Sequence, residues 1–344
     1  PVLIQIDKEG HKEVMAADAK NQVYLVDSLG NIRWKTRLPG APVGLPRAVF
    51  APKADSAFFL VCTPARICLL MPDGNFAPGY PMPLPARAMA AITPAEPKKN
   101  PDNRFLVPLA DRRIWSFKPD GKPPHVAMNP GIREDIVYPV NSVEYAGKDF
   151  YFIRGKNGHL MITDARGKTL VHTPKTVALS GLSDLYINRT NRKGSFLTTD
   201  PSGKVLYINL SGKTAEVTFN LFSPAHRFFY VDLNQDGAFE FIFYDQNKLY
   251  YYNRFYKLIY SYVFTRELSI PPFLIELPGG KYRIGAVSGT ADELYLFGDQ
   301  GMIPLEPGIS GNTFFDIGSP DGTRRMLLVT ATGKYLKCYR LPKQ

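Results

Sequence analysis

Val23-Tyr24-Leu25-Val26-Asp27-Ser28-Leu29-Gly30-Asn31-Ile32-Arg33-Trp34-Lys35-Thr36-Arg37-Leu38-Pro39-Gly40 reads as one β-hairpin. A β-branched and aromatic run ends on Asp27, a turn containing Gly30 follows, and a second strand runs from Ile32 to Leu38. Glycine suits such a turn because it takes a left-handed conformation without a Cβ clash. Outward from the hairpin, Val2 to Asp7 and Glu13 to Ala17 read as two further strands, so the hairpin completes a meander of four.

The same pattern recurs eight times, centred on Val23, Ile67, Ile114, Leu160, Val205, Leu249, Leu294 and Tyr335, at spacings of 44, 47, 46, 45, 44, 45 and 41 residues. The turn glycine returns as Gly74, Gly121, Gly167, Gly212 and Gly301, while the sixth copy has Phe255-Tyr256 and implies a different turn. A strand-filled period in the mid-forties with no helical stretch predicts an all-β fold, a β-propeller of four-stranded antiparallel blades. Eight blades are expected, with seven the alternative, in a single domain over 1–344. The blades fall near 1–46, 47–90, 91–135, 136–179, 180–223, 224–267, 268–311 and 312–344. The last copy stops after its third strand at Leu341. Either residues N-terminal to Pro1 supply its outer strand, or that blade is three-stranded. An opening Pro1 in place of Met marks a trimmed start, of a processed secreted protein or of a recombinant piece.

Hydrophobic residues make up 44% of the 344, with 19 Tyr and 22 Phe, an aromatic load that suits stacked sheets. No transmembrane segment is present. The net charge is +11, which points to an anionic partner, an acidic protein or an anionic glycan. No nucleic-acid motif accompanies it, because the longest basic runs are Lys98-Lys99 and Arg112-Arg113. The three cysteines are too few for a disulfide scaffold or a zinc site. If Cys62 pairs with Ile67 across the turn Thr63-Pro64-Ala65-Arg66, Cys68 faces the other side of the sheet. Both are then buried thiols.

The opening hairpin, with its strand ending in Asp27, its glycine turn and Trp34 on the outer strand, resembles the repeat of the quinoprotein-like propeller superfamily. That superfamily holds quinone-dependent dehydrogenases and non-catalytic scaffolds such as the outer-membrane-assembly lipoprotein of Gram-negative bacteria. The resemblance implies the scaffold type, because the enzymes have a Trp-rich shell and adjacent cysteines, whereas this chain has two Trp and no Cys-Cys pair. It also implies a place outside the cytoplasm, periplasmic or secreted. A second stretch, Asp232-Leu233-Asn234-Gln235-Asp236-Gly237-Ala238-Phe239-Glu240, sets oxygen ligands at alternating positions before a glycine, a pattern able to wrap a hard cation. It resembles the calcium loops of integrin-type propeller repeats, which implies a structural calcium on Asp232, Asn234, Asp236 and Glu240. An Asp-Gly hairpin turn with no ion is the other reading, and Asp7-Lys8-Glu9-Gly10 reads as a decayed copy.

Arginines recur just ahead of the first strand of several repeats, as Arg47, Arg87, Arg133 and Arg227. Loops between second and third strands add Arg66, Arg112, Arg113, Lys156 and His159 on the same face. Converging guanidiniums would form a basic funnel for a carboxylate, phosphate or sulfate. The leading expectation is therefore a non-catalytic, monomeric binding or scaffold module facing an acidic protein segment or an anionic glycan. The alternative is a carbohydrate-active or other hydrolytic or lyase enzyme drawing on Glu134, Asp135, Asp184 and Glu267. No nucleophile elbow or histidine metal pair supports catalysis. In the aromatic stretch from Tyr250 to Tyr262, Tyr250 to Tyr252 read as packing, and Tyr260 and Tyr262 are left as packing or as a stacking surface.

Overall fold

A computed structural model describes residues 1–50, 55–94, 104–118, 120–123, 125–128, 133–164, 167–172, 178–190, 193–321 and 326–341. Each repeat is an antiparallel meander. In chain order the strands are β1 Val2–Gln5, β2 Lys12–Ala17, β3 Gln22–Val26 and β4 Ile32–Arg37; β5 Arg47–Val49, β6 Phe58–Cys62, β7 Arg66–Leu70 and β8 Met82–Pro83. Then come β9 Thr93–Pro94, β10 Phe105–Pro108, β11 Ile114–Phe117 and β12 His125–Met128; β13 Asn141–Tyr145, β14 Lys148–Arg154, β15 Leu160–Asp164 and β16 Thr169–His172. The remainder are β17 Tyr186–Ile187, β18 Phe196–Thr199, β19 Val205–Ile208 and β20 Thr214–Val217; β21 Arg227–Val231, β22 Glu240–Asp245, β23 Lys248–Tyr252 and β24 Leu258–Val263. The series ends with β25 Ile270–Glu276, β26 Tyr282–Ser288, β27 Glu293–Gly298 and β28 Gly301–Ile303, then β29 Asp316–Gly318, β30 Met326–Thr332 and β31 Tyr335–Leu341. Among the described residues there is no helix long and apolar enough to cross a membrane.

The fold is an all-β propeller, and the expected blade count is corrected. Among the described residues, four-stranded antiparallel sheets number seven, and the last set, β29-β30-β31, is a three-stranded sheet. The eighth repeat has the sequence of a blade as far as its third strand. No fourth strand pairs with β31 among the described residues, so it is not a complete blade.

By its contacts the chain divides into two units. One holds Pro1–Leu3, Ser180–Asn209 and Thr214–Gln344, the other Ile4–Leu179 and Leu210–Lys213. Within each, apolar side chains of consecutive sheets interlock. In the second unit one cluster gathers Leu60, Ile67, Leu69, Phe105, Val107 and Phe117. Another joins Leu106, Ile114, Tyr151, Ile153 and Met161. In the first unit Phe228, Phe241 and Phe243 pack with Leu197 and Tyr207, and Ile242, Tyr251 and Phe264 pack with Ile284 and Phe297. Each fully buried Phe of this kind contributes roughly 2 kcal/mol of transfer free energy.

The turns obey local chemistry. Gly30 has φ +86°, and Asp27 closes the turn by accepting from the N–H of Leu29 at 2.9 Å and of Asn31 at 2.8 Å. Gly74, Gly121, Gly167, Gly212 and Gly301 also have positive φ. The sixth copy is a correction: its turn is the same, with Tyr256 itself at φ 62°. Asn253 accepts there from Phe255 at 2.9 Å and Lys257 at 3.1 Å, as Asp27 does in the first copy. Cys62 pairs with Ile67 and Cys68 with Val61, and both cysteines are buried and free. Burial pushes both thiols up to about 12.

Candidate functional site

In the unit Ile4–Leu179, turns between second and third strands are stitched to the connections that lead into first strands. The N–H of Leu84 donates to Ala65 O at 2.9 Å and that of Ala88 to Pro64 O at 2.8 Å, tying the β8–β9 connection to the β6–β7 turn. The N–H of Ala110, in the β10–β11 turn, donates to Arg87 O at 2.8 Å. The N–H of Lys156, in the β14–β15 turn, donates to Asp135 O at 2.8 Å, and Arg112 Nε lies 3.4 Å from Asp135 Oδ1. The N–H of Val43 donates to Cys62 O at 2.7 Å and brings in the connection that ends at Arg47.

These bonds string Arg47, Arg66, Arg87, Arg112, Arg113, Arg133 and Lys156 along one belt, every one of them exposed. The carboxylates within it have other duties. Asp111 accepts from Trp115 Nε1 at 2.8 Å, and Asp135 faces Arg112. Glu134, 9% exposed, accepts from the N–H of Asn157 at 2.6 Å and of His159 at 3.3 Å, and lies 2.6 Å from His159 Nδ1. Among the described residues no carboxylate lies within ion-pair distance of Arg66, Arg87, Arg113, Arg133 or Lys156. The belt therefore presents positive charge outward while its negative charge holds the loops together. Arg227 belongs to the other unit, half-buried at the start of β21 opposite Tyr244. Burial lowers its guanidinium pKa, and nearby Asp184 and Tyr244 oppose that. The Lys98-Lys99 run lies outside the described residues.

Of the carboxylates considered for catalysis, Glu134 and Asp135 are thus loop fasteners, Asp184 neighbours Arg227, and Glu267 is exposed between β24 and β25. Tyr260 packs its ring against Gly301 and Tyr251, and Tyr262 meets Phe264 and Phe297, so both half-buried rings pack against the core.

The loop from Asp232 to Glu240 joins β21 to β22. Asp232 accepts from the N–H of Asp236 at 3.2 Å and of Gly237 at 2.9 Å, and Asp236 accepts from Ala238 at 2.7 Å. Asn234 Oδ1 accepts from the N–H of Asp236 at 3.0 Å. Glu240 turns inward and accepts from Leu233 at 3.2 Å. Burial pushes its carboxyl up to about 7, the Leu233 bond opposes this, and the charges of Asp232 and Asp236 add to it. The donor set is all oxygen and suits a hard cation, but each of the four side chains now accepts from at least one backbone N–H, and Asp236 Oδ2 also accepts from Asn234 Nδ2 at 3.0 Å, so calcium would have to replace those bonds with its own. Among the described residues, the one group whose three ligand atoms lie within 4.8 Å of one another is Asp7, Glu9 and His11. Its core is His11 Nδ1 at 2.6 Å from Asp7 Oδ2. Sequence reading passed over His11, although Asp-x-Glu-x-His alternation was the visible signal.

One buried polar cluster also escaped the sequence. His226 Nε2 lies 2.8 Å from Thr199 Oγ1, which lies 2.6 Å from Ser183 Oγ, and His226 Nδ1 donates to Ser223 O at 2.7 Å. All three side chains are fully enclosed, and burial lowers the histidine's pKa, so the group fastens a connection rather than meeting a ligand.

Neither a protein-family profile nor a curated protein sequence matches the chain. Solved structures do match in fold. BamB from Moraxella catarrhalis is 18% identical with a TM-score of 0.55, over 85% of this chain and 80% of that one. BBS1N, in complex with ARL6DN, is 12% identical with a TM-score of 0.55, over 87% of this chain and 90% of that one. The computationally designed Ika8 protein is 11% identical with a TM-score of 0.59, over 99% and 95% of the two chains. At these identities the likeness shows the propeller fold alone.

Proposed function

We propose that this propeller is a non-catalytic binding module that takes an acidic protein segment on the basic belt of the unit Ile4–Leu179. The observation that carries the reading is the division of labour among charges. The belt's carboxylates are engaged within the loops, while Arg66, Arg87, Arg113, Arg133 and Lys156 are exposed without a carboxylate partner among the described residues. Arginine forks on a rigid frame suit paired carboxylates. Support also comes from BBS1N, a propeller crystallised in complex with a protein, ARL6DN. The resemblance to quinoprotein-like scaffolds would place the module outside the cytoplasm, which cell fractionation of the source organism tests.

The test of binding compares the protein with its R113E/R133E variant against polyglutamate and a sulfated oligosaccharide, at low and at physiological salt. Polyglutamate should bind the parent, weaken roughly tenfold in the variant, and lose affinity as salt rises. Equal binding by parent and variant would reject the belt as the site. Binding of the oligosaccharide alone would replace the protein partner by a glycan.

A further inference from the structure

In a chain of net charge +11, the β1–β2 turn concentrates carboxylates around a histidine. Asp7, Glu9 and His11 alternate through it, and one ligand atom from each lies within 4.8 Å of the others. His11 Nδ1 is 2.6 Å from Asp7 Oδ2 and 3.7 Å from Glu9 Oε2. The N–H of His11 donates to Asp7 Oδ1 at 3.0 Å, which leaves Oδ2 to the imidazole. The turn is anchored on the connection between β5 and β6. The N–H of Lys8 donates to Asp55 O at 3.1 Å and that of Ala57 to Ile6 O at 2.8 Å, while Lys8 Nζ lies 3.7 Å from Asp55 Oδ1. A separate observation points to a cation. Glu13, on β2, lies two residues beyond His11 and so on the same face of the extended chain, with its side chain only 5% exposed. Its Oε1 is 2.6 Å from Arg33 Nε, but Oε2 is sealed from solvent and has no hydrogen-bond partner. Burial raises the pKa of this carboxyl, Arg33 opposes that, and the charges of Asp27 and Asp7 add to it, so the negative charge of the turn reaches the buried oxygen. A buried carboxylate oxygen without a donor is costly, and a nearby cation offsets the cost.

We propose that Asp7, Glu9 and His11 bind a divalent first-row transition ion of the zinc type, with the carboxylate of Glu13 adding negative charge beside them. The donor set selects the ion. Calcium and magnesium take oxygen ligands, whereas an imidazole nitrogen next to two carboxylates suits zinc and its neighbours. Two ligand atoms on a tetrahedral zinc with bonds of about 2.1 Å lie about 3.4 Å apart, a spacing that the 2.6 and 3.7 Å separations bracket. The adjustment falls on mobile groups. The Glu9 side chain is 81% exposed and free to swing inward, and the ion takes the place of the proton shared between His11 Nδ1 and Asp7 Oδ2. Water completes the coordination on the exposed side. The imidazole distinguishes this turn from the Asp232 loop, whose side chains offer oxygen alone. Because the turn is bonded to Asp55 and Ala57, the ion also pins β1 and β2 to the second sheet, within the unit Ile4–Leu179. The site shares no residue with the basic belt.

The experiment uses the full chain without a histidine tag, carrying Cys338→Ser so that the exposed thiol cannot compete for metal. After chelator treatment, zinc, calcium and magnesium chlorides are titrated by isothermal calorimetry, and the ring nitrogens of the histidines are followed by NMR. Zinc should bind once per chain, about tenfold or more tighter than calcium or magnesium, and should move the ring resonances of His11 but not those of His159 or His226. His11→Ala and Asp7→Asn should each weaken zinc binding about tenfold or more, while Asp232→Asn leaves it unchanged. Absence of zinc binding, zinc binding that survives His11→Ala or leaves the His11 ring unmoved, or a preference for calcium would each overturn the proposal.

Discussion

Glu240 opens β22 with its carboxyl 9% exposed and raised to about 7, and the sign of that shift can be tested. The folded protein holds this proton more tightly than the unfolded chain. The group is therefore neutral to stability below its ordinary value of 4.5, and it costs stability progressively as pH rises from there to about 7. Glu240→Gln keeps an acceptor for the Leu233 N–H and removes the charge. In chelator-treated buffer at pH 8 the variant should be more stable, by at most about 3 kcal/mol, and the two proteins should converge near pH 4.5 in denaturant titrations. If the Asp232 loop binds calcium, added calcium should raise the parent's melting midpoint and not the variant's. The ligand spacing of this loop was legible, because residue types and a glycine are local facts. What each oxygen holds was not, since the Asp232, Asn234 and Asp236 carboxamide and carboxylate groups answer to backbone donors that only the folded turn presents.

The hairpin between third and outer strands shows why the repeat needs both a glycine and, in its first copy, a tryptophan. Trp34 on β4 donates its Nε1–H to Pro72 O at 2.9 Å and lays its ring on the next sheet's turn, where a Cβ on Gly74 would sit 2.5 Å from Trp34 Cδ2. Tyr260 covers Gly301 in the same manner, with its hydroxyl accepting from the Met302 N–H at 3.2 Å. Glycine is thus required twice, for its positive φ and for the space its missing side chain leaves to the ring. Gly74→Ala should cost about 2 to 4 kcal/mol in chemical unfolding. In the Trp34→Ala background the same change should cost less, and a fully additive double-mutant cycle would refute the coupling. The turn glycines were readable because a left-handed residue is a local demand. Tyr256 was not, because a tyrosine at φ 62° is held by remote partners: Tyr207 OH at 2.9 Å and a stack on Phe219 at 5.0 Å. The loop positions of the arginines were legible, whereas the bonds that join loops about 20 residues apart, such as those of Glu134 to Asn157 and His159, have no local signature.

At the scale of the molecule, periodicity alone carried the sequence to a propeller, but a count of repeats is not a count of complete blades. The eighth repeat matches the others through its third strand, and among the described residues it pairs as the three-stranded sheet β29-β30-β31. Hydrogen bonds between neighbouring repeats span some tens of residues, 38 from Trp34 to Pro72 and 49 from Tyr207 to Tyr256. One link differs: the N–H of Leu3 donates to Asp316 Oδ2 at 2.9 Å across 313 positions. Asp316→Ala should lower stability by about 1 kcal/mol and speed hydrogen exchange at the Leu3 amide, leaving exchange in β13 and β14 unchanged. The distance along the chain also sets an order of events. Closing a loop of that length costs about 2 kcal/mol more conformational entropy than closing one repeat on the next, so neighbouring repeats can assemble before the two ends meet. A bond of that span closes on blades that can already hold themselves, so it should be among the first protections lost in native-state hydrogen exchange.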